Sequence, residues 1–455
     1  MRQTSDSAAL DASSIFADFQ LAARPAVIAA VSGGSDSLSL LFLLDAFLET
    51  HAPATRLVAV TVDHGLRAES AEEAAIVARL CAARGIVHRT VRWTGEKPAS
   101  GLPAAAREAR YELLASAAQA EGTDCVLTGH TLDDQLETVA MREARGDGRG
   151  LAGMAPATLF DGRVWILRPL LGLSRAALRG WLAEHGITWV DDPTNVDEKY
   201  ERARVRAAAG DGGGPREAAR ATIASAASAR LHLGEQAAGA IRAHARWAAP
   251  GLVAIDRSLW DHPNPKALYA MRIVLAVLGG TPHLPDAGAS AMLLTRMPTE
   301  RFRATLSRVV IDAAADAVLL HRERRGLPAA AAPAPGAIWD GRFRLGELPH
   351  GASVAPVGRD VAHEMVSGAQ PPSQAILPRA TPRVATEALA AEPALWRDQE
   401  FAGLATEAGL ARRISAPWAR FLPSFDLAPA EAIAALIRAD LPPKPPLARH
   451  NPGRG

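Results

Sequence analysis

Short apolar runs alternate with longer runs of helical period from residue 26 to about residue 190, and this alternation constrains the fold more than any other feature of the chain. Residues 26–31, 57–62, 87–93 and 125–128 read as strands, with 165–167 as a short fifth. Residues 37–47, 71–84, 104–120 and 132–145 read as the helices between them. Strands alternating with helices of roughly 10–15 residues build right-handed βαβ units on a parallel sheet. The first part of the chain is therefore expected to be α/β. Sheets of this kind take ligands at the carboxyl ends of their strands.

The texture changes near residue 205. Residues 210–215 (Gly-Asp-Gly-Gly-Gly-Pro) read as a flexible break, and 216–248 as an Ala-rich, helix-favouring stretch. Residues 266–330 look mostly helical, with 309–311 and 317–320 as short strands. Residues 329–335 read as a Pro/Ala linker, and the periodicity beyond 346 is weak. The expected division is 1–205, 206–330 and 331–455, the last a poorly defined C-terminal region. A chain of 455 residues has room for two to three such domains.

The charge balance excludes several classes. A formal net charge of +1 argues against a uniformly basic polyanion binder and against an acidic disordered chain. The basic residues are skewed: only Lys97, Lys199, Lys266 and Lys444 are lysines. None follows a glycine, so the G-x-x-x-x-G-K-[ST] phosphate loop is absent. Two cysteines, Cys81 and Cys125, make neither a disulfide framework nor a Cys-rich zinc site. No apolar run approaches the ~20 residues of a membrane span, and the first residues lack a signal-peptide pattern. The chain reads as soluble and cytoplasmic.

The strongest local signal is Ser32-Gly33-Gly34-Ser35-Asp36-Ser37, at the end of the first strand and the start of a helix. Two glycines let the backbone approach an anion, the three hydroxyls add donors, and the helix contributes the positive end of its dipole. Asp36 would repel a bare phosphate and makes sense if Mg²⁺ sits between them. A plain Ser/Asp cap on a tight turn is the blander reading, and the whole hexapeptide in this position speaks against it. In Gly129-His130-Thr131-Leu132-Asp133-Asp134-Gln135-Leu136-Glu137-Thr138, a helix from 132 places Asp134 and Glu137 on one face at the end of the fourth strand. Clustered carboxylates repel, so they call for Mg²⁺ or a lysine ammonium; an acidic helix start favoured by the dipole is the alternative. Read alone, His130 could be a capping or core histidine, Arg110 a surface arginine, and Asp63 and His64 a strand end. Residues 148–153 fit G-x-G-x-x-G, but they follow a helix rather than a strand, so a dinucleotide site fails on context.

The hexapeptide resembles the SGGxDS pyrophosphate loop of the PP-loop ATPases. Further segments follow in order: Val62-Asp63-His64-Gly65-Leu66-Arg67, Ala106-Arg107-Glu108-Ala109-Arg110-Tyr111, the 129–138 run, Arg145-Gly146 leading into Gly150-Leu151-Ala152-Gly153-Met154, Arg168-Pro169-Leu170-Leu171 and Trp189-Val190-Asp191-Asp192-Pro193-Thr194-Asn195. Together they look like the tRNA(Ile)-lysidine synthase family, over residues 26–206. The resemblance implies a PP-loop ATPase catalytic domain over 1–205 and a mainly helical, tRNA-binding region over 206–330. It also implies a ligase reaction. The C2 oxygen of the wobble cytidine attacks the α-phosphate of ATP, pyrophosphate leaves, and L-lysine displaces AMP to give lysidine.

Carried onto matching positions, the resemblance implies that Ser32, Gly33, Gly34, Ser35, Asp36 and Ser37 hold the pyrophosphate, with Mg²⁺ at Asp36. Asp63, His64 and His130 border the nucleotide, Arg110 lies near the reacting base, and Asp134 or Glu137 holds the lysine ammonium. The implied partners are ATP, L-lysine and tRNA(Ile) with a CAU anticodon; a homodimer is an expectation from related enzymes. One departure is Tyr200-Glu201-Arg202-Ala203-Arg204-Val205-Arg206, where the family usually has Arg-Asn-x-x-Arg and Ala203 takes the Asn place. Trp339-Asp340-Gly341-Arg342-Phe343 looks like a segment of some members.

A tRNA thiolase of the same loop class would need a Cys-x-x-Cys, which is absent, and an amidotransferase-type synthetase a glutaminase domain, of which none is evident. A catalytically silent tRNA binder is opposed by intact Asp36, His130, Asp134 and Glu137. The arginine skew fits tRNA contact: from Arg202 to Arg246 eight arginines face Asp211, Glu217 and Glu235, and from Arg301 to Arg325 six face Asp312, Asp316 and Glu323.

Overall fold

The computed structural model describes residues 10–65, 70–95, 97–144, 148–191, 213–260, 264–314, 317–368, 382–415 and 418–448. The readings made above on 66–67, 145–147, 192–206 and 210–212 lie outside them. The described residues form two units. One comprises those up to Arg230 with Pro423–Phe425 and 443–448; the other comprises Leu231–Leu422 and Asp426–Pro442.

The first unit carries α1 (Ala12–Phe16), β1 (Ala26–Ala30), α2 (Ser35–His51), β2 (Arg56–Asp63), α3 (Ser70–Ala82), β3 (Val87–Arg92), α4 (Leu102–Ala120), β4 (Cys125–Thr128), α5 (Leu132–Glu143), β5 (Ala157–Phe160), β6 (Val164–Leu167) and α6 (Arg175–Glu184). Its strands lie in the order β5-β6-β4-β1-β2-β3. All neighbours are parallel except the β5–β6 hairpin. Every residue of β1 is buried, as in a strand covered on both faces. The edge strand β3, Val-His-Arg-Thr-Val-Arg, keeps its polar residues toward solvent. Helix α2 is apolar nearly all round and correspondingly buried. From β1 the chain steps through β2 to β3, then returns to the other flank of β1 to lay down β4. The order therefore reverses between β1 and β4, and the crevice at such a reversal is where open α/β sheets bind ligands. Late in the chain, the segment 443–448 returns to this unit: Gln20 N–H donates to the Pro446 carbonyl (3.0 Å), Ala448 N–H to that of Asp18 (2.8 Å), and Phe19 bridges Leu447.

Helix α7 (Gly213–His244) takes in Gly213 to Pro215 of the expected break. The second unit adds β7 (Ala245–Ala249), β8 (Leu252–Asp256), α8 (Pro265–Gly279), α9 (Ala287–Arg296), β9 (Phe302–Leu306), β10 (Val309–Ala313) and β11 (Ala317–Arg322). Helices are present over 206–330 as expected, and the strands expected at 309–311 and 317–320 are present as β10 and β11; the structure adds β7, β8 and β9, which join them in a five-stranded antiparallel sheet, β7-β8-β11-β10-β9. The β9–β10 turn explains part of the omission. Ser307 and Arg308 form its two-residue loop, both with positive φ (52° and 63°), and neither is the Gly, Asn or Asp that marks such a turn.

The described residues beyond 330 likewise fold into strands and helices. β12 (Ile338–Trp339), β13 (Phe343–Leu345) and β17 (Ala411–Arg413) make one small sheet; β14 (Ala352–Pro356), β15 (Pro393–Arg397) and β16 (Glu400–Leu404) make another. Helices α10 (Arg359–Gly368), α11 (Pro382–Leu389) and α12 (Leu427–Ile437) complete the unit. Strands of two to five residues are too short for alternation to show. The expected linker at 329–335 is pinned by paired hydrogen bonds between Ala331 and Val354.

One ion network links the five-stranded sheet to the small ones. Asp340, with no exposed side-chain surface, accepts from Arg322 (3.0 and 3.1 Å), Arg342 (2.7 Å) and Arg308. Arg342 and Arg413 in turn bind the buried Glu392. This corrects the reading of the 301–325 arginines: Arg322 is 1% exposed and, with Arg308, is committed to Asp340 rather than facing outward. Asp340→Ala leaves three guanidinium groups without their shared carboxylate. It is expected to cost about 3–5 kcal/mol, read as a fall in the urea midpoint of the full chain. An unchanged midpoint would show that the network is not needed.

Candidate active site

The site is built where the backbone after β1 meets the backbone after β4. Gly33 takes a positive φ (86°) and turns the chain into α2, whose N-cap is Gly34. With no capping side chain there, the first-turn N–H groups of Ser35, Asp36 and Ser37 face outward without intrahelical partners. Ser37 Oγ braces the turn: it accepts from Ser32 N–H (3.1 Å) and donates to the Gly34 carbonyl (3.0 Å). Across from it, Gly129 follows β4. A Cβ added there would lie 2.7 Å from the Asp36 carbonyl oxygen, so only glycine permits this approach. His130 is held next to it, its Nδ1 2.9 Å from Thr128 Oγ1.

Helix α5 opens with a capping box. Thr131 N–H (2.9 Å) and Oγ1 (3.0 Å) donate to one oxygen of Asp134, and Thr131 Oγ1 accepts from the Asp134 N–H. The other Asp134 oxygen faces inward, together with Glu137 one turn on. Arg175 lies between these carboxylates and Asp36. Its Nε donates to Asp36 Oδ2 (2.9 Å), and its terminal nitrogens stand 3.6 Å from Asp134 Oδ1 and 3.9 Å from Glu137 Oε1. Its own backbone N–H is tied to Asp133 Oδ2 (2.7 Å). Burial pushes the Asp36 carboxyl above the ordinary range, Arg175 opposes this by charge and hydrogen bond, and Asp134 adds to the rise. Burial also works against the Arg175 charge, but Asp36, Asp134 and Glu137 outweigh it and raise its pKa.

Four residues later on α6, Arg179 donates to Ser35 Oγ (3.2 Å) and Asp191 (2.5 Å) and covers the Trp189 ring at 5.5 Å. Val190 N–H donates to the Gly33 carbonyl (3.0 Å), so 189–191 is seated on the loop. The sequence reading did not name Arg175 or Arg179. Their signal is an i, i+4 arginine pair at the start of a helix, on one face.

Asp63 and His64 close β2. Buried Asp63 accepts from Gly65 N–H (2.7 Å) and pairs with Arg92 (3.1 Å). His64 meets Trp93 edge-on, with 6.2 Å between ring centroids. Burial first, then the charges of Arg110 and Lys97, against Asp63, lower its pKa, so the imidazole is neutral at pH 7. Arg110 is thus electrostatically coupled to His64. Its neighbour Tyr111 is buried beside Arg168, whose guanidinium also donates to the Ala155 carbonyl (2.9 Å) and Thr158 Oγ1 (2.8 Å). Residues 148–152 of the glycine run form a 3₁₀ turn, and Gln135 clasps Met154 through both its backbone groups. A cavity of about 350 Å³ opens on the flank of α5 at Leu132 and Gln135, bordered by Arg168, Arg220 and Phe425. Asp36, Asp134 and Glu137 do not line it, so the convergent charges rather than this cavity mark the candidate chemistry.

The arrangement offers an anion cradle at a strand end and, beside it, carboxylates that require a cation. A profile of the PP-loop domain matches residues 7–210. A protein of Mesorhizobium japonicum named tRNA(Ile)-lysidine synthase is 49% identical over 93% of this chain and 95% of its own length. One of the same name from Rhizobium meliloti is 39% identical over 92% and 93%, and one from Brucella ovis 42% identical over 72% and 76%.

The Tyr111 cluster yields a pH signature. Burial by itself raises the phenol, but Arg168, Arg107 and Arg110 outweigh it and bring it down to about 8. A phenol lowered from its unfolded value is stabilising where the folded chain has released the proton and the unfolded chain still holds it. Its contribution therefore grows from about pH 8 upward, is complete above the unfolded value, and is lost as the pH falls through 8. In a tyrosinate absorbance titration, one of the three tyrosines is expected to ionise near 8, a step that Tyr111→Phe removes.

Proposed function

Because this chain belongs to the tRNA(Ile)-lysidine synthase family, we propose that it joins L-lysine to C2 of the wobble cytidine of tRNA(Ile) at the expense of ATP. It is a ligase of the PP-loop ATPase class. The observation that carries the reading is the convergence of Asp36, Asp134 and Glu137 on one cation, directly beside a glycine-rich loop at the β1/β4 crevice. ATP would lie with its β and γ phosphates on the N–H groups and hydroxyls of Ser32 to Ser37 and its nucleoside toward Asp63, His64 and His130. The loop then stabilises pyrophosphate as it leaves. Arg110, coupled to His64, is suited to orienting the cytidine whose C2 oxygen attacks the α-phosphate.

Asp36 suits Mg²⁺. Among the described residues no three His, Cys, Asp or Glu side chains gather as an all-protein cage. Mg²⁺ commonly binds through one carboxylate, phosphate oxygens and water. Bound there, it would supply charge neutralisation for the phosphates. Asp134 and Glu137 hold the ammonium of lysine and orient the nitrogen toward C2; once deprotonated, that nitrogen forms the C–N bond as AMP departs. We also propose the segment roles: catalysis over 1–205, and tRNA contacts through exposed arginines beyond it, such as Arg242, Arg246, Arg324 and Arg325. A homodimer and a cytoplasmic setting belong to the same reading; among the described residues no helix is long and apolar enough to cross a membrane.

The test is mass spectrometry of unmodified tRNA(Ile) incubated with the protein, ATP, Mg²⁺ and labelled lysine. A lysine-mass adduct at the wobble cytidine is expected, and its absence rejects the assignment. Asp36→Ala is expected to abolish AMP formation, whereas Glu137→Ala raises the lysine requirement more than the ATP requirement.

A further inference from the structure

We propose that Arg175 is a built-in stand-in cation: it neutralises the acidic site when no substrate is present, and releases Asp36, Asp134 and Glu137 to the incoming cations while its guanidinium transfers to the phosphates of the nucleotide. The inference rests on the function proposed above and adds a positioning residue to it.

Three observations carry it. First, the guanidinium touches all three carboxylates to which the reading assigns a cation: Asp36 at 2.9 Å, Asp134 at 3.6 Å and Glu137 at 3.9 Å. While Arg175 stays, its charge occupies the space that the three carboxylates share and competes with any incoming Mg²⁺ or ammonium. Second, Arg175 is the first residue of α6, capped by Ser174. A cation there opposes the helix dipole, so helix stability does not account for it. Its backbone is anchored from the opposite helix by Asp133 Oδ2, which leaves the side chain as the movable part. Third, the anion cradle begins at the residues Arg175 already contacts. Asp36 lies in the first turn of α2, and Arg179, one turn along α6, already reaches Ser35 Oγ in that turn. A short swing of the Arg175 side chain exchanges carboxylate partners for phosphate oxygens, the other anion a guanidinium forks onto. A static brace that merely orients Asp36 predicts the opposite response to its removal.

The test uses the full chain and two readouts besides turnover: calorimetric binding of Mg²⁺ without nucleotide, and of ATP with Mg²⁺. Removing a unit charge this close to the carboxylates in Arg175→Gln is expected to tighten nucleotide-free Mg²⁺ binding roughly tenfold or more and to weaken ATP binding by a similar factor. Arg175→Lys, which keeps a charge, is expected to fall between parent and Arg175→Gln in both. It gives the same comparison against the parent if Arg175→Gln does not fold. Mg²⁺ binding that is unchanged or weaker in these variants overturns the proposal in favour of a static brace. Failure of the parent itself to bind ATP with Mg²⁺ would instead overturn the function on which the inference rests.

Discussion

The closest approach of a described glycine to another stretch of backbone in the first unit is that of Gly129 to Asp36. It joins two loops that are ninety residues apart in the chain, and it does so at the one place where the strand order reverses. Everything chemical hangs on that approach. It sets the start of α2 against the start of α5, so two helix N-termini with acidic first turns face a common space. Two such ends attract anions through their dipoles, yet each also carries carboxylates of its own. The conflict is resolved by a guanidinium from a third helix, α6, inserted between them.

Arginine serves the same purpose elsewhere. Asp340 and Glu392 in the second unit are each held by several guanidinium groups, and Glu121 near the edge of the first sheet is clamped by Arg56 (2.6 Å) and Arg89 (2.5 Å). A planar fork satisfies two carboxylate oxygens at once, which an ammonium on a flexible stem does not. The shortage of lysine in this chain is therefore matched by structural use of arginine. Counting arginines over 301–325 overstates the charge available at the surface, because Arg322 and Arg308 are already paired with Asp340.

Legibility from sequence followed the physics of each region. The parallel sheet was readable because its central strands are uniformly apolar and its helices long enough to show their period. The hairpin strand β5 was not read. In the site, the loop and the acidic run of α5 were readable because each is contiguous. Arg175, Arg179, and the pairing of Tyr111 with Arg168 were not, because their meaning lies in contacts across tens of residues and each looks locally like an ordinary helix or strand-end residue. In the second unit, Asp398 and Gln399 form another two-residue hairpin loop with positive φ; Asp398 is a residue that marks such turns, but no glycine follows it.

The return of residues 443–448 to pair with 18–20 has a consequence for synthesis. The first unit is assembled from segments more than four hundred residues apart in the chain. A nascent chain that has emerged through α7 holds the whole nucleotide crevice, yet its segment around Phe19 still awaits a partner more than four hundred residues further along the chain. Closing that loop is entropically costly and comes late. The second unit is threaded between the two parts and is complete before the last of these residues emerges. Final closure of the ATP-binding unit thereby waits for residues 443–448, which follow the whole of the second unit in the chain.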